Sequence, residues 1–243
     1  MDTATQRALA AHTRRFYDQH AADFSATREH AWPGWQRVIA DWQPAGRPRV
    51  LDVGCGNGRL AAYLGRDCQQ PIGYTGVDVC RPLLEAARQR CPRDARLVPA
   101  DLSAGSLDER LPEGPFDLVC AFGLLHHIPG FARRRALVEC LAARVARGGR
   151  LALAFWRFTE RERFARRRVE WATAPDIDPA QLEPGDHLLA WGDAGAARYC
   201  HASDDAEIEA LLARVGLARR DDFEADGREG DWNRYVVLES AGD

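Results

Sequence analysis

Asp52, Asp78 and Asp101 each close a short apolar run, and the first is followed by glycines at alternate positions, Gly54, Gly56 and Gly58, in the stretch RVLDVGCGNG. Glycine reaches positive φ and, having no side chain, lets a ligand lie against the backbone. The spacing is GxGxG, where a dinucleotide site has GxGxxG. A carboxylate just before the turn would repel a pyrophosphate and attract an ammonium group. These preferences fit S-adenosylmethionine, a cationic nucleoside without phosphate, better than the cofactor of a nucleotide-dependent dehydrogenase. On this reading Asp52, Gly54, Cys55 and Gly56 face the donor. Asp78, with Val79, takes the ribose hydroxyls, and Asp101, with Leu102, accepts from the adenine amine. A lone aspartate at a strand end is commonly a helix cap; three in succession behind a glycine turn point to one crevice.

The segment FDLVCAFGLLHHIP supplies the opposite wall. Phe122 and Leu124 are expected against the adenosine, with His126 and His127 beside the transferable methyl. Buried histidines also serve as satisfied core residues, and both roles stay open. No third ligand lies at a metal-binding spacing, so no metal is expected. Methyl transfer is an in-line displacement, and what it asks of the protein depends on the acceptor. A carboxylate, with a pKa near ~4, is ionised at neutral pH and needs a cation to orient it rather than a base. The planar fork of arginine suits that task, which singles out Arg28 and Arg198. A phenol or amine would need a general base, the role left to His126 or His127. Arg28 has a competing use in an ion pair with Glu29 or Asp23.

These residues need a scaffold, and the surrounding pattern supplies one. The core alternates as strand 49–53, helix 58–65, strand 74–78, helix 82–90, strands 96–99 and 117–122, helix 132–146 and strand 150–156. That order implies a parallel sheet with right-handed crossovers, with Gly148-Gly149 stopping the last helix. Helices are expected at 5–24 and from Pro33 to about Trp42. Residues 157–201 read as a helical, Arg-rich insertion followed by a loop. A helix at 204–215, a short strand near 218–223 and a strand at 234–239 close the chain. Four regions follow: a helical cap (1–46), the donor-binding core (47–157), the insertion (158–202) and the closing elements (203–243).

The 243 residues suffice for one α/β domain with an embellishment. No run reaches the ~20 apolar residues of a membrane span, and the first ten residues lack the pattern of a secretory leader; a soluble, cytoplasmic protein is expected. Seven scattered cysteines without a CxxC pair argue against a zinc site or a disulfide framework. Cys80, Cys120 and Cys140 are expected as buried thiols. The net charge of −3 hides a segregation. Residues 133–168 hold 12 arginines against Glu139, Glu160 and Glu162, whereas residues 203–231 hold 10 acids against four arginines. The basic segment either meets an anionic partner such as an RNA backbone or is simply solvated. Trp32, Trp35, Trp171 and Trp191 are candidate platforms for a splayed base, although Trp35 and Trp42 also have core spacing.

Taken together, the motifs resemble the class I S-adenosylmethionine-dependent methyltransferases. The chain is most similar to the tRNA wobble-uridine carboxymethyl methyltransferases, including the methyltransferase domain of the AlkB-homolog tRNA enzymes. The narrower resemblance rests on YDQHAADFSATREHAWPGW, on GLLHHIPGFARRRALVECLAARVARGGRLALAFW, and on GDHLLAW, ARYCHASDDAEIEALLARVGL and DWNRYVVL. It implies a Rossmann-like sheet of seven strands, mostly parallel with an antiparallel last strand, and helices on both faces. It also implies an activity, esterification of a 5-carboxymethyl group on the wobble uridine. Arg28 and His127 would then lie near the methyl donor, with Trp32, His126, Trp191, Arg198, Tyr199 and His201 around the substrate. A small activator subunit assists eukaryotic members. Ala190 and Cys200 depart from the family pattern, and the 203–231 tail is unusually acidic. The alternatives are a methyltransferase of small-molecule acids or phenols, and a catalytically silent scaffold, which would have no use for an intact donor site.

Overall fold

The computed structural model describes every residue except Ala45, Gln69, Gln70, Arg161, Asp193, Ala194 and Asp243. Two helices, α1 (Thr3–Ala26) and α2 (Pro33–Ile39), precede the sheet. The core follows as β1 (Arg49–Val53), α3 (Arg59–Asp67), β2 (Gly73–Asp78), α4 (Arg81–Arg88), β3 (Arg96–Pro99), α5 (Leu107–Arg110), β4 (Phe116–Phe122), α6 (Phe131–Ala142) and β5 (Val145–Trp156). The insertion contributes α7 (Glu162–Ala165), β6 (Arg168–Val169), β7 (Asp186–Trp191) and β8 (Ala196–His201), and α8 (Asp205–Leu212), β9 (Ala218–Ala225) and β10 (Asn233–Glu239) complete the chain. The main sheet has seven strands in the order β3-β2-β1-β4-β5-β10-β9. Only β10 runs against the others, being antiparallel to both β5 and β9.

Strand order reverses between β1 and β4, so their carboxyl ends open the crevice in which α/β sheets bind ligands. Both faces of the sheet are covered, as the continuous apolar runs require. Leu51, Val53, Val119, Ala121, Leu151 and Leu153 pack with Leu137 and Leu141 of α6 and Ile208 and Leu211 of α8. Val50, Leu118, Cys120, Phe122 and Ala152 face Trp35 and Val38 of α2 and Leu60 and Leu64 of α3. Helix α1 is capped by Asp2, whose carboxylate accepts from the Thr5 N–H, and departs from helical geometry at His20. Its Leu9 packs with Leu188 and Tyr199 of the insertion, and Ala21, Tyr17 and Phe24 pack with Cys80 and Leu83 at α4. It thereby spans the carboxyl ends of the strands. No helix among the described residues is long and apolar enough to cross a membrane.

Three expectations need correction. The insertion is built on an antiparallel sheet, β6-β7-β8, rather than on helix and loop. Helix α6 ends at Ala142, and Gly148 and Gly149 lie inside β5 instead of stopping the helix. Near that point the register between β4 and β5 shifts between Phe116 and Leu118, which takes up the irregularity. All seven cysteines are free, with Cys80 and Cys120 buried, but Cys140 is half-exposed and donates to the Asp108 carboxylate.

Candidate functional site

Of the three glycines in the turn after β1, only the middle one is open. A Cβ added at Gly54 would lie 3.0 Å from the Leu124 Cβ, and one at Gly58 would lie 2.8 Å from the Cys91 Sγ; at Gly56 it would meet nothing within 4 Å. Gly56 also has φ +52°, which a side chain disfavours. Its N–H donates to Asp78 Oδ2 at 2.8 Å, and Asp78 Oδ1 accepts from the Cys80 N–H at 2.9 Å. Each oxygen keeps acceptor capacity for a further donor. Burial raises the Asp78 carboxyl, opposed by the N–H groups of Cys80, Gly56 and Val79. The N–H groups of Gly54 and Cys55 are committed to the Val77 carbonyl, and the Cys55 side chain is buried.

Beneath the turn, Asp52 is 3 % exposed and accepts the Tyr74 hydroxyl at 2.6 Å. Burial pushes its carboxyl up to about 7, with the Tyr74 hydrogen bond opposing. A buried acid held half-protonated gains from a cation. Together with the free face of Gly56 and the spare acceptors of Asp78, this donor set fits S-adenosylmethionine. Asp101 is engaged differently. Its Oδ1 accepts from the N–H and hydroxyl of Ser103, closing a local turn, and its Oδ2 meets Arg14 of α1 at 3.3 Å. Val79 is half-buried. Leu102 is a core residue, 4 % exposed. Phe122, 8 % exposed, stacks on Trp35 at 6.0 Å and lies 5.7 Å from Tyr235.

A short 3-10 turn, Leu125–His127, leaves the end of β4. His127 Nδ1 lies 2.9 Å from the Tyr199 carbonyl, which only accepts, so Nδ1 carries the proton. Nε2 then accepts the Tyr17 hydroxyl at 2.9 Å. Burial and the neighbouring Arg198 push His127 down to about 3. His126 is driven well below its ordinary value by burial, then by His127 and Arg198, and its buried Nδ1 has no partner among the described residues. Neither imidazole is a base poised for neutral pH. The phenol of Tyr17, raised to about 12 by burial, is a donor throughout the physiological range.

Arg198, on β8, is 6 % exposed, and its Nε and Nη1 are buried without a hydrogen-bond partner among the described residues. Its guanidinium lies over the rings of Phe16 at 5.0 Å and Trp156 at 5.9 Å. Arg28 rests on Phe24 at 4.8 Å, and its guanidinium donates to the carbonyl and hydroxyl of its neighbour Thr27. Among the described residues neither Glu29 nor Asp23 pairs with it. Burial lowers the Arg28 guanidinium; Phe24 beneath it lies 5.1 Å from the Tyr17 ring, and Phe16 beneath Arg198 lies 5.0 Å from the same ring. Trp191 lines the same region against Phe16 at 5.6 Å and His20 at 5.9 Å. Trp32 covers Gly123, at the end of β4, and lies under Arg59 at 5.2 Å.

Two expected substrate residues are buried elsewhere. The Tyr199 hydroxyl donates to Asp186 at 2.8 Å, and His201, 1 % exposed, sits between Asp186 and Glu207 at 2.7 Å each. Burial works against the His201 cation, but the two carboxylates raise it overall. Arg134 joins this network by bridging Glu183 and Glu207, fastening the insertion to α6 and α8. Glu183, Asp186 and His201 have the chemistry of a metal site, as do His126, His127 and Cys200. In the first group protein cations already fill the role, and in the second both His127 nitrogens are engaged beside Arg198. Trp171 packs against the cluster that joins Leu9 of α1 to Leu188 and Tyr199 of the insertion. The expected RNA-tracking arginines are partly spent: Arg157 pairs with Asp205, Arg166 with Glu162, and Arg161 lies outside the described residues. An open groove of about 610 Å³ near β9 and β10 is walled by paired charges such as Arg234 and Asp222 and contains none of the site residues. Tyr17, Asn57 and Trp156 were not singled out from sequence; only their nearness to the GCGNG and HH motifs could have drawn attention to them.

Residues 51–151 match the methyltransferase domain family. The probable tRNA methyltransferase 9B of Mus musculus is 28 % identical over 152 residues, 63 % of this chain and 31 % of that protein. The tRNA U34 carboxymethyltransferase of Haemophilus ducreyi is 34 % identical over 122 residues, 49 % of this chain and 36 % of that protein. The chain thus spans about a third of the length of these curated relatives. Among solved structures, the N-methyltransferase NodS of Bradyrhizobium japonicum, in complex with S-adenosyl-L-homocysteine, aligns with a TM-score of 0.62 at 15 % identity over 94 % of this chain and 98 % of that one. Fold and domain match define the class: residues 51–151 carry a methyltransferase domain, set in the seven-stranded sheet that the S-adenosylmethionine-dependent methyltransferases share. Its most informative resemblances within that class are to tRNA methyltransferases.

Proposed function

We propose that this chain methylates a carboxylate, the 5-carboxymethyl group of a tRNA wobble uridine, to give its methyl ester. The observation that carries the reading is Arg198, a buried guanidinium beside the His126-His127 turn whose Nε and Nη1 have no hydrogen-bond partner among the described residues. A buried cation without a counter-ion is costly, and an anionic ligand offsets the cost. Arg28, with no carboxylate partner among the described residues, rests on Phe24, whose ring lies 5.1 Å from that of Tyr17. When bound, S-adenosylmethionine supplies an electrophilic methyl on a sulfonium. Gly56, Asp78 and Asp52 would hold it, while Arg198 and Arg28 orient the acceptor and the rings of Phe16, Trp156 and Trp191 exclude water. Such positioning is worth up to ~7–11 kcal/mol. With both histidines neutral and His127 committed to Tyr17, the acceptor has to arrive ionised, which favours a carboxylate over a phenol or amine.

The names of the relatives support tRNA as the bearer of that carboxylate. The acidic tail is less of an obstacle than its composition suggests, because Asp205, Glu209, Asp221 and Asp222 are paired with arginines. A small-molecule acid is the second reading, favoured by the ion-paired state of Arg157 and Arg166. Incubation with donor labelled on the methyl, bulk tRNA and a panel of small acids separates the two, with an activator subunit added in a parallel arm. The expected result is label in tRNA that mild alkali releases as methanol. Label confined to small acids would overturn the tRNA reading, and alkali-stable label would overturn ester formation.

A further inference from the structure

The loop after α1 carries Arg28, and the side chains that fasten it come from the glycine turn and its surroundings. Asn57, between Gly56 and Gly58, is 3 % exposed. Its Nδ2 donates to the Ser25 Oγ at 2.8 Å and approaches the Ser25 carbonyl at 3.4 Å and the Arg28 carbonyl at 3.5 Å. Arg90 adds a bond to the Arg28 carbonyl at 3.4 Å, and Arg59 one to the His30 carbonyl at 2.9 Å. The loop's own backbone bonds are few: Thr27 N–H to Asp23 and Arg28 N–H to Ser25, where α1 ends. Turn geometry does not demand asparagine at position 57, since Asp226 is the one non-glycine with positive φ among the described residues. What an asparagine adds is a buried amide donor aimed at the Arg28 loop.

We propose that Asn57 is a positioning residue through which a donor seated on the glycine turn orders the loop that carries Arg28. The proposal rests on the donor reading of the turn, not on the identity of the acceptor. Gly56, with its open face, and Asp78, which holds the Gly56 N–H, fix the backbone from which Asn57 projects. A ligand on that face immobilises the root of Asn57, and the Asn57 amide passes the constraint to Ser25 and Arg28. The anion-binding side is thereby organised after the donor has bound, and binding follows the order donor first, acceptor second.

The test is amide hydrogen exchange over residues 25–31 with and without S-adenosylhomocysteine, its binding to each variant being followed by calorimetry. In the wild type, bound S-adenosylhomocysteine is expected to slow exchange in this loop about tenfold, the scale of one well-formed hydrogen bond. Asn57→Ala is expected to bind the ligand within about threefold of wild type and to lose that protection. Ser25→Ala lies outside the glycine turn and removes the 2.8 Å acceptor, so it should lose protection in the same way even if the alanine at position 57 prevents folding. Protection that persists in ligand-bound Ser25→Ala and Asn57→Ala, or that is missing from the ligand-bound wild type, overturns the coupling. Failure of the wild type to bind S-adenosylhomocysteine at all overturns the donor assignment instead, and the proposal with it.

Discussion

Replacing Asp52 with asparagine should move stability and donor affinity in opposite directions. In the donor-free protein burial lifts the Asp52 carboxyl from 3.8 to about 7, so its ionisation opposes folding. The sign follows from linkage: the unfolded chain releases this proton near pH 4, the folded chain only near 7, so stability falls as pH rises through that interval. Three pKa units at 1.36 kcal/mol each give a penalty of about 4 kcal/mol above pH 7. With Asp52 only 3 % exposed, solvent does little to screen it. An asparagine carries no such penalty and can still accept the Tyr74 hydroxyl. Asp52→Asn should therefore gain up to about 4 kcal/mol at pH 8 relative to wild type and almost nothing near pH 3, read from denaturant unfolding curves at each pH. The same change removes the carboxylate a cationic donor would use, at a cost of ~1.5–3 kcal/mol, or roughly 10–150-fold in donor Kd by calorimetry. A variant destabilised at pH 8 with donor affinity intact would refute the reasoning.

Three further outcomes follow from the geometry. Arg198→Met should leave folding stability within about 1 kcal/mol of wild type or raise it, because no partner is orphaned, while kcat/KM for the acceptor falls roughly 10–150-fold; thermal melts and steady-state kinetics check both, and a large loss of stability with unchanged kinetics would make Arg198 structural. His201→Gln should cost about 3–5 kcal/mol at pH 6, since it leaves Asp186 and Glu207 facing each other. The His201 contribution is complete below the unfolded histidine value and is lost as pH rises through its raised folded value, so the gap between variant and wild type in unfolding curves should close toward pH 9. Gly56→Ala should cost ~1–2 kcal/mol for a side chain at φ +52°, and its methyl should abolish donor binding in calorimetry while the fold, followed by circular dichroism, survives.

How much of this was visible in the sequence depends on what fixes each feature. Strands β1, β2 and β4 and the glycine turn were legible because local rules determine them: apolar runs buried on both faces, and glycines at positive φ. The antiparallel last strand came from the resemblance, and β10 has that direction. Strands β7 and β8 were missed, although DHLLAW and AARYCH flank a short segment bearing Gly192 and Gly195, the signature of a hairpin. Residues 157–201 as a whole lack strand alternation, which hides the pair within an Arg-rich segment. Phe122 is a different case. The two-residue period correctly sets it on the face of Leu118 and Cys120, but nothing local reveals that Trp35 and Tyr235 cover that face. Distant partners likewise decide Asp101, held by Arg14, and His201, held by Glu207. Arg198 was legible as a cation near the site, whereas its unpartnered Nε and Nη1 among the described residues emerge only when the whole fold surrounds it.

The measurement that bears most directly on the central claim is a crystal structure of this chain with S-adenosylhomocysteine. The ligand is expected across the open face of Gly56 with its ribose on Asp78, its amino group toward Asp52 and its sulfur facing the side of the crevice that holds Tyr17, His127 and the unpaired Arg198. Density for the ligand at any other place, or an Arg198 turned onto a carboxylate of the protein, would contradict it.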